Sequence, residues 1–170
     1  MKRIGNVPHY LPEGHISTKS NPKQPVFGTV ALISPMKNIH NIINALSQIK
    51  ADLNYSLYGP VKDTAYWQEC QKLIARLPSN IRFEYHGSIQ PHEVEKMIAG
   101  FDFYIQPSKS ENFGHSIFEA FNQGVPVIIS DQTPWKNLYA KHAGWDVDVS
   151  KSGSLESAIR QSLAMDMMPT

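Results

Sequence analysis

The sequence predicts an α/β domain in which a doubly wound, parallel sheet of six strands carries helices on both faces. Two observations lead to this prediction. Short apolar, β-branched segments alternate with amphipathic segments of about ten residues, and the alternation continues from Pro25 almost to the C-terminus. Strands that alternate with helices pair in parallel through right-handed crossovers, and these crossovers place helices on both faces of the sheet.

Each predicted element rests on its own local pattern. The strand segments are apolar and rich in β-branched residues; they are 26–34, 53–58, 81–86, 103–106, 125–130 and 145–149. The helical segments place apolar residues on one face, as Ile39, Ile42, Ile43 and Leu46 do in the first of them. These segments are 38–50, 64–77, 92–100, 116–123, 135–143 and 155–165.

The length and composition of the chain suit one globular domain. Of its 170 residues, 41% are hydrophobic, which is enough to bury a core. Residues 1–24 contain Pro8, Pro12 and Pro22 without a hydrophobic period. They are therefore predicted to form an irregular N-terminal segment or linker, and residues 25–170 are predicted to form the domain.

The charge balance and the hydropathy pattern argue against nucleic acid and membrane as direct partners. The 16 Lys and Arg residues against 15 Asp and Glu residues give a net charge of +1, which provides no basic surplus for nucleic acid. No apolar run approaches the roughly 20 residues of a membrane span, and residues 1–10 lack the apolar core of a signal peptide. Cys70 is the single cysteine, so no intramolecular disulfide forms, and a cytoplasmic location is predicted.

Residues 107–130 contain the most informative pattern. The preceding predicted strand ends at Gln106, and a polar loop with Gly114 leads into the next helix. Ligands of doubly wound sheets bind at the carboxyl ends of the strands, and a glycine before a helix lets an anion approach the free helix amides. Glu111 and Glu119, eight positions apart, are suited to accept hydrogen bonds from the vicinal hydroxyls of a sugar or a ribose.

Structural interpretations of the same residues remain open. Ser116 and Glu119 have the spacing of a capping box, in which Glu119 binds a backbone amide. Glu111 and Lys37 could equally be solvated surface residues. His115 and Glu119 are four positions apart on a helix without a third ligand nearby, so no metal site is predicted. The tryptophans are predicted to be core or interface anchors; they are Trp67, Trp135 and Trp145.

The segment resembles the signature of the group 1, glycogen synthase-like retaining glycosyltransferases, whose GT-B architecture joins two Rossmann-like domains. The family pattern has two glutamates eight positions apart. The matching residues here are Glu111, Phe113, Gly114, Glu119, Ala120, Gly124, Pro126, Val127 and Ile128. Asn112 stands where the family usually has glycine, and His115 stands where leucine is common. The resemblance covers most of 26–165 and includes the loop from Ser34 to Asn38.

The resemblance implies that the chain is the C-terminal, Rossmann-like donor domain of a hexosyltransferase that uses a nucleoside diphosphate sugar and retains the anomeric configuration. It implies catalytic roles for Glu111, which contacts the donor sugar, and for Lys37, which pairs with the diphosphate. The donor-binding residues that it implies are Glu119 at the ribose, Phe113, Gly114 and His115 at the sugar and distal phosphate, Ser34, and Gly87 and Ser88 near the base. It implies no metal and no other cofactor.

The same resemblance implies the partners of the domain. An N-terminal acceptor-binding domain and a glycan or lipid-linked saccharide acceptor are expected, so this domain alone is expected to bind donor without turning it over. Polysaccharide synthesis is the expected process. The expected location is the cytoplasm, with a peripheral position at the inner face of the membrane left open for the full-length protein.

One residue departs from the family pattern at a position that matters for the diphosphate. The family commonly has arginine five positions before the lysine, and here that residue is Leu32. A guanidinium grips phosphate through two parallel hydrogen bonds, which leucine cannot make. Either another cation replaces it, or the chain is a non-catalytic nucleotide-binding module that has lost the chemistry. The candidate replacements are Arg82, Lys62 and Lys109. Whether Leu32 faces the phosphates or packs into the core is also open.

Overall fold

The computed structural model describes residues 24–111 and 113–166 and confirms the predicted fold class. Six parallel strands form one sheet in the order β3-β2-β1-β4-β5-β6. The strands are β1 (Val26–Val30), β2 (Leu53–Tyr58), β3 (Ile81–Tyr85), β4 (Phe103–Gln106), β5 (Val127–Ser130) and β6 (Gly144–Val147). The α-helices in the described residues are α1 (Ile39–Leu46), α2 (Thr64–Ile74), α3 (Val94–Ala99), α4 (His115–Asn122) and α5 (Ser154–Asp166), and short 3-10 helices cover Pro35–Lys37 and Pro91–Glu93.

The sheet separates two hydrophobic cores. Buried residues of one face, such as Phe27 and Phe103, pack with those of α1, α2 and α5. Buried residues of the other face, such as Tyr104 and Ile129, pack with those of α3 and α4, including Ile117. This alternation along each strand follows from the period of two in β-structure. Helices therefore cover both faces, as the sequence predicts.

The strand order places a topological switch point between β1 and β4. The chain winds outward from β1 through β2 to β3, and then returns to add β4 on the other side of β1. The loops that follow β1 and β4 consequently lead to helices on opposite faces of the sheet and leave a crevice at the carboxyl ends of these two central strands. In doubly wound sheets such a crevice is where ligands bind.

The predicted helix at 135–143 is wrong. Residues 138–142 form successive turns, and Asn137 and His142 have positive φ angles of 55° and 58°. The amides of Asn137 and Leu138 donate to the carboxylate of Asp146, at 3.3 and 2.9 Å. The positive φ angles at Asn137 and His142 are incompatible with a continuous right-handed helix, and local periodicity does not reveal them.

The first predicted strand is also too long. Strand β1 ends at Val30, although Ile33 still forms an isolated parallel bridge with Val61. Between them the chain leaves the sheet, and the side chain of Leu32 is 42% exposed. The interpretation of Leu32 as a core residue is therefore wrong. The predicted helix at 38–50 likewise ends early, at Leu46, and continues as turns.

The predicted segment 1–24 lies, apart from Gln24, outside the described residues, as do 167–170. Within the described ranges, no helix has both the length and the apolar character needed to cross a membrane.

Candidate functional site

Two adjoining cavities open at the switch point between β1 and β4. The first, about 390 Å³ in volume, contains Lys37, Gln106, Glu111, Phe113 and Gly114. The second, about 310 Å³, contains Gly59, Pro60, Ile89, Pro91, Val94 and Glu119. Both are bordered by Val30, Ala31, Leu32, His115 and Ser116, so they form one continuous space, which we call the switch-point groove. Two larger cavities, of about 540 and 600 Å³, lie elsewhere and include neither Glu111 nor Glu119.

The carboxylate of Glu111 is held firmly in the groove. Its Oε2 atom accepts hydrogen bonds from Lys37 Nζ at 2.6 Å, Ser108 Oγ at 2.7 Å and Gln106 Nε2 at 2.9 Å. No group in 24–111 or 113–166 donates to its Oε1. Glu111 is thus neither a solvated loop acid nor free to rotate, and one oxygen stays available to a ligand.

The local chain explains why Lys37 reaches Glu111. A 3-10 turn follows β1 and ends in Asn38, whose φ of 61° reverses the chain. The side-chain amide of Asn38 donates to the carbonyl of Pro107 at 3.0 Å, and the amide of Lys109 donates to Met36 O at 2.9 Å. The loops after β1 and β4 are therefore held together by two hydrogen bonds. Lys37 lies between the two residues of the first loop that make them, and Glu111 follows Lys109 by two positions.

Sequence reasoning missed Gln106 and Ser108, which are 3% and 0% exposed. The hydroxyl of Tyr104 donates to Gln106 Oε1 at 2.5 Å, which leaves the Nε2 group of Gln106 directed at Glu111. A usable signal was present in the sequence. Gln106 ends an otherwise apolar strand at the switch point, and a buried polar side chain needs a partner.

The contacts of Glu111 determine its ionisation. Burial raises its pKa, but the hydrogen bonds from Lys37 and Ser108 outweigh burial, so the pKa of Glu111 lies below its ordinary value of 4.5. The ion pair therefore stabilises the fold above pH 4.5, and this contribution is lost as the pH falls through the lowered pKa.

Glu111→Gln is expected to remove this pH-dependent contribution while keeping an oxygen that can accept from Lys37. The difference in unfolding free energy between the wild type and the variant should shrink as the pH falls from about 6 to about 3. Urea unfolding across this range measures it, with the exposed Glu95→Gln as a matched control. A difference for Glu111→Gln that stays constant with pH would contradict the ion pair.

Gly114 shapes the wall of the groove that precedes α4. It has a φ of +78° and is the N-cap residue of the helix. A Cβ atom at this position would lie 3.0 Å from Ile117 Cδ1, and left-handed backbone already disfavours a side chain. Glycine thus lets the unpaired amides at the start of α4 border the groove, where an anion is favoured.

The capping-box interpretation of Glu119 is wrong. Helix α4 begins at His115, so Ser116 lies inside the first turn, and its N-cap Gly114 has no side chain to cap with. The carboxylate of Glu119 accepts no hydrogen bond from a described residue, and the residue lies half-buried in the groove. Burial raises its pKa, and the charge of Glu95 raises it further against an opposing effect of His115. A half-buried carboxylate without a protein partner is suited to bind ligand hydroxyls.

Only some of the remaining predicted site residues line the groove. Phe113 and His115 border the groove, but Ser34, Gly87 and Ser88 line neither cavity. Gly87 is connected to the groove indirectly, because its carbonyl accepts from the amide of Gly59 at 2.8 Å.

The cations of the groove are few. Leu32 borders both of its cavities, and Lys37 is the one Lys or Arg among the described residues that line it. The candidate replacements for the family arginine line neither cavity; they are Arg82, Lys62 and Lys109. The described residues also contain no group of three or more His, Cys, Asp or Glu side chains that could hold a metal ion.

The fold and the groove define a class of protein: a Rossmann-like domain with paired carboxylates at its switch point, of the kind found in GT-B glycosyltransferases. The sequence matches the family described as Glycosyl transferases group 1 over residues 12–169. The chain belongs to this family and corresponds to the C-terminal domain of its members, as the sequence resemblance implies.

Particular relatives support this assignment. The chain is 27% identical over 143 residues to the O-antigen chain mannosyltransferase B of Escherichia coli, covering 81% of the chain and 36% of that protein. It is 26% identical over 136 residues to a GDP-mannose-dependent alpha-mannosyltransferase of Mycolicibacterium smegmatis, covering 80% of the chain and 33% of that protein. The chain therefore spans about a third of the length of these relatives.

Solved structures share the fold. HepE of Anabaena, crystallised with UDP and glucose, superposes with a TM-score of 0.68 at 23% identity, over 85% of this chain and 41% of that one. Sucrose-phosphate synthase of Thermosynechococcus elongatus gives a TM-score of 0.73 at 21% identity, over 96% and 43% of the two chains.

Proposed function

We propose that the switch-point groove binds the nucleoside diphosphate sugar of a glycosyltransferase. One observation carries the proposal. At the switch point of a group 1 glycosyltransferase domain, one carboxylate is fixed against a lysine with an oxygen still available. A second carboxylate lines the same groove without a hydrogen-bond partner in the described part of the chain. In this proposal Glu119 accepts from the ribose hydroxyls, and Glu111 contacts the donor sugar through its Oε1.

The phosphates lie between the two carboxylates in this arrangement. The amides of Phe113, Gly114 and His115 and the ammonium of Lys37 border the first cavity, which supports a diphosphate there. The bond between the anomeric carbon and the distal phosphate oxygen breaks, and the oxygen of an acceptor hydroxyl forms the new bond as its proton is released. Lys37 and the helix amides stabilise the negative charge that develops on the departing nucleoside diphosphate.

The acceptor side of the reaction is part of the same proposal. The relatives are more than twice as long as this chain, which supports a second, N-terminal domain that supplies the acceptor site. The acceptor is a glycan or a lipid-linked saccharide, the transferred group is a hexose, and the anomeric configuration is retained. The chain alone binds donor without turnover, in the cytoplasm where polysaccharide is assembled. Three further donor contacts are proposed from loops that flank the groove, although these residues do not line its cavities; they are Ser34, Gly87 and Ser88.

The proposal is tested by thermal shift with nucleotides. UDP and GDP are the probes because HepE was crystallised with UDP and the Mycolicibacterium smegmatis relative is a GDP-mannose-dependent enzyme. The diphosphates should raise the melting temperature of the chain more than UMP and GMP, since the helix amides and Lys37 meet the distal phosphate. Equal stabilisation by mono- and diphosphates, or none at about millimolar ligand, would contradict the proposal.

One observation favours a second candidate, a nucleotide-binding module that has lost the chemistry. Leu32 occupies the place of the family arginine and borders the groove, so the diphosphate meets a single described cation. The two candidates differ in turnover. Incubation of the full-length protein with UDP- or GDP-sugars and saccharide acceptors separates them, because donor binding without transfer selects the non-catalytic module.

A further inference from the structure

The loop after β5 holds the donor segment in place at two points. The amide of Glu111 donates to the carbonyl of Gln132 at 3.1 Å. The indole Nε1 of Trp135 donates to the carbonyl of Phe113 at 2.9 Å. Gln132 and Trp135 both lie in residues 131–138, which we call the anchoring loop. Two hydrogen bonds thus join the segment that carries Glu111 and Gly114 to this loop.

The indole of Trp135 is itself held rigidly. Its ring packs against Phe113, Phe118 and Phe121 with centroid distances of 5.7, 6.1 and 5.0 Å. Its backbone amide donates to Thr133 Oγ1 at 3.0 Å, and the hydroxyl of Thr133 is buried. A side chain locked by packing and by a backbone hydrogen bond can position a loop better than a mobile one can.

The position of Trp135 matters for the start of α4. A Cβ atom on Gly114 would lie 3.5 Å from Trp135 Nε1, so the indole nitrogen lies directly behind the glycine that opens the helix. Its bond to the carbonyl of Phe113 orients the peptide unit that joins the Glu111 loop to the helix amides. Loss of this one bond should therefore affect both the carboxylate and the anion-binding amides.

We infer that Trp135 is a positioning residue for the donor site, acting through its indole N–H on the Phe113 carbonyl. The inference rests on the proposed function for its effect on nucleotide binding, but its effect on the loop can be measured without any ligand. Sequence analysis predicts only a core or interface anchor here, because the hydrogen bond joins residues 22 positions apart.

The test compares two Trp→Phe variants of the chain. Trp135→Phe keeps the aromatic packing and removes the N–H donor. Trp145→Phe is the matched control, because its Nε1 donates to Gln161 at 3.0 Å and its ring packs in the core on the other face of the sheet. Amide exchange of Glu111, followed by NMR, reports the loop, and calorimetric titration with UDP and GDP reports the donor site.

Trp135→Phe should speed exchange of the Glu111 amide and weaken UDP or GDP binding, each by about fivefold, the equivalent of one hydrogen bond. Trp145→Phe should leave both within about twofold of wild type. Should Trp135→Phe fail to fold, Thr133→Val, which removes the acceptor that holds the Trp135 amide, should shift both readouts in the same direction.

Four other outcomes are decisive. Unchanged Glu111 exchange in Trp135→Phe overturns the inference, and so do equal effects of the two Trp→Phe variants, which indicate general destabilisation. Faster exchange of the Glu111 amide in Trp135→Phe, with unchanged affinity for UDP and GDP, overturns the role of Trp135 at the donor site. If wild type binds neither UDP nor GDP, the proposed function fails, and the exchange data alone decide whether Trp135 positions the loop.

Discussion

Glu119→Ala is expected to weaken UDP or GDP binding by about 2–3 kcal/mol, because two charge-assisted hydrogen bonds to the ribose hydroxyls are lost. The carboxylate lies half-buried in the groove, and no residue of 24–111 or 113–166 donates to it, so its removal leaves none of their donors unsatisfied. Stability should therefore change little, while affinity falls. Calorimetric titration of the wild type and the variant measures the effect.

Two comparisons make this prediction specific. A 2′,3′-dideoxy nucleotide lacks the hydroxyls, so its affinity should be nearly the same for wild type and variant. Glu95→Ala is the matched control, since Glu95 influences the pKa of Glu119 but lies exposed outside the groove. An equal loss for the ribose and dideoxy nucleotides would contradict the assignment of Glu119 to the ribose.

Leu32→Arg is expected to tighten diphosphate binding by about 1–3 kcal/mol, more at low salt than at high salt. The side chain is 42% exposed and borders both cavities, so a guanidinium can be accommodated without burial in the core. It would add a second cation beside Lys37. Titrations with UDP at two salt concentrations, together with the melting temperature of the same samples, measure the effect.

Leu32→Gln is the matched control, because it adds a polar group of similar length without charge. It should leave diphosphate affinity close to that of wild type. A folded Leu32→Arg variant with unchanged UDP affinity would show that position 32 does not face the phosphates. The resemblance of the first loop to the family pattern would then be wrong.

The parts of the fold that the sequence predicts correctly are those set by local periodicity. The six strands and their parallel pairing follow from the alternation of apolar and amphipathic segments. The candidates Glu111 and Glu119 follow from their fixed spacing. Both lie in the predicted region at the carboxyl end of β4. The sequence did not decide whether Glu119 caps the helix or lines the groove. The structure decides it because α4 begins one residue earlier than predicted, so Ser116 is not the N-cap.

The features that the sequence did not predict depend on contacts between distant residues. Asp146 accepts hydrogen bonds from two amides of the segment in which a helix is predicted at 135–143. Lys37 meets Glu111, 74 positions further along the chain, where the loops after β1 and β4 are held together. Trp135 reaches Phe113 across the space between two loops. Each depends on tertiary contacts that a local pattern does not encode.

The central claim is that the switch-point groove holds a nucleoside diphosphate, and an NMR chemical-shift map of the chain titrated with UDP tests it most directly. The account predicts that the largest amide shifts occur at Gly114 and His115 and near Leu32 and Lys37, and that UMP produces smaller shifts at these four residues. Shifts confined to residues outside the groove, with none in it, would contradict it.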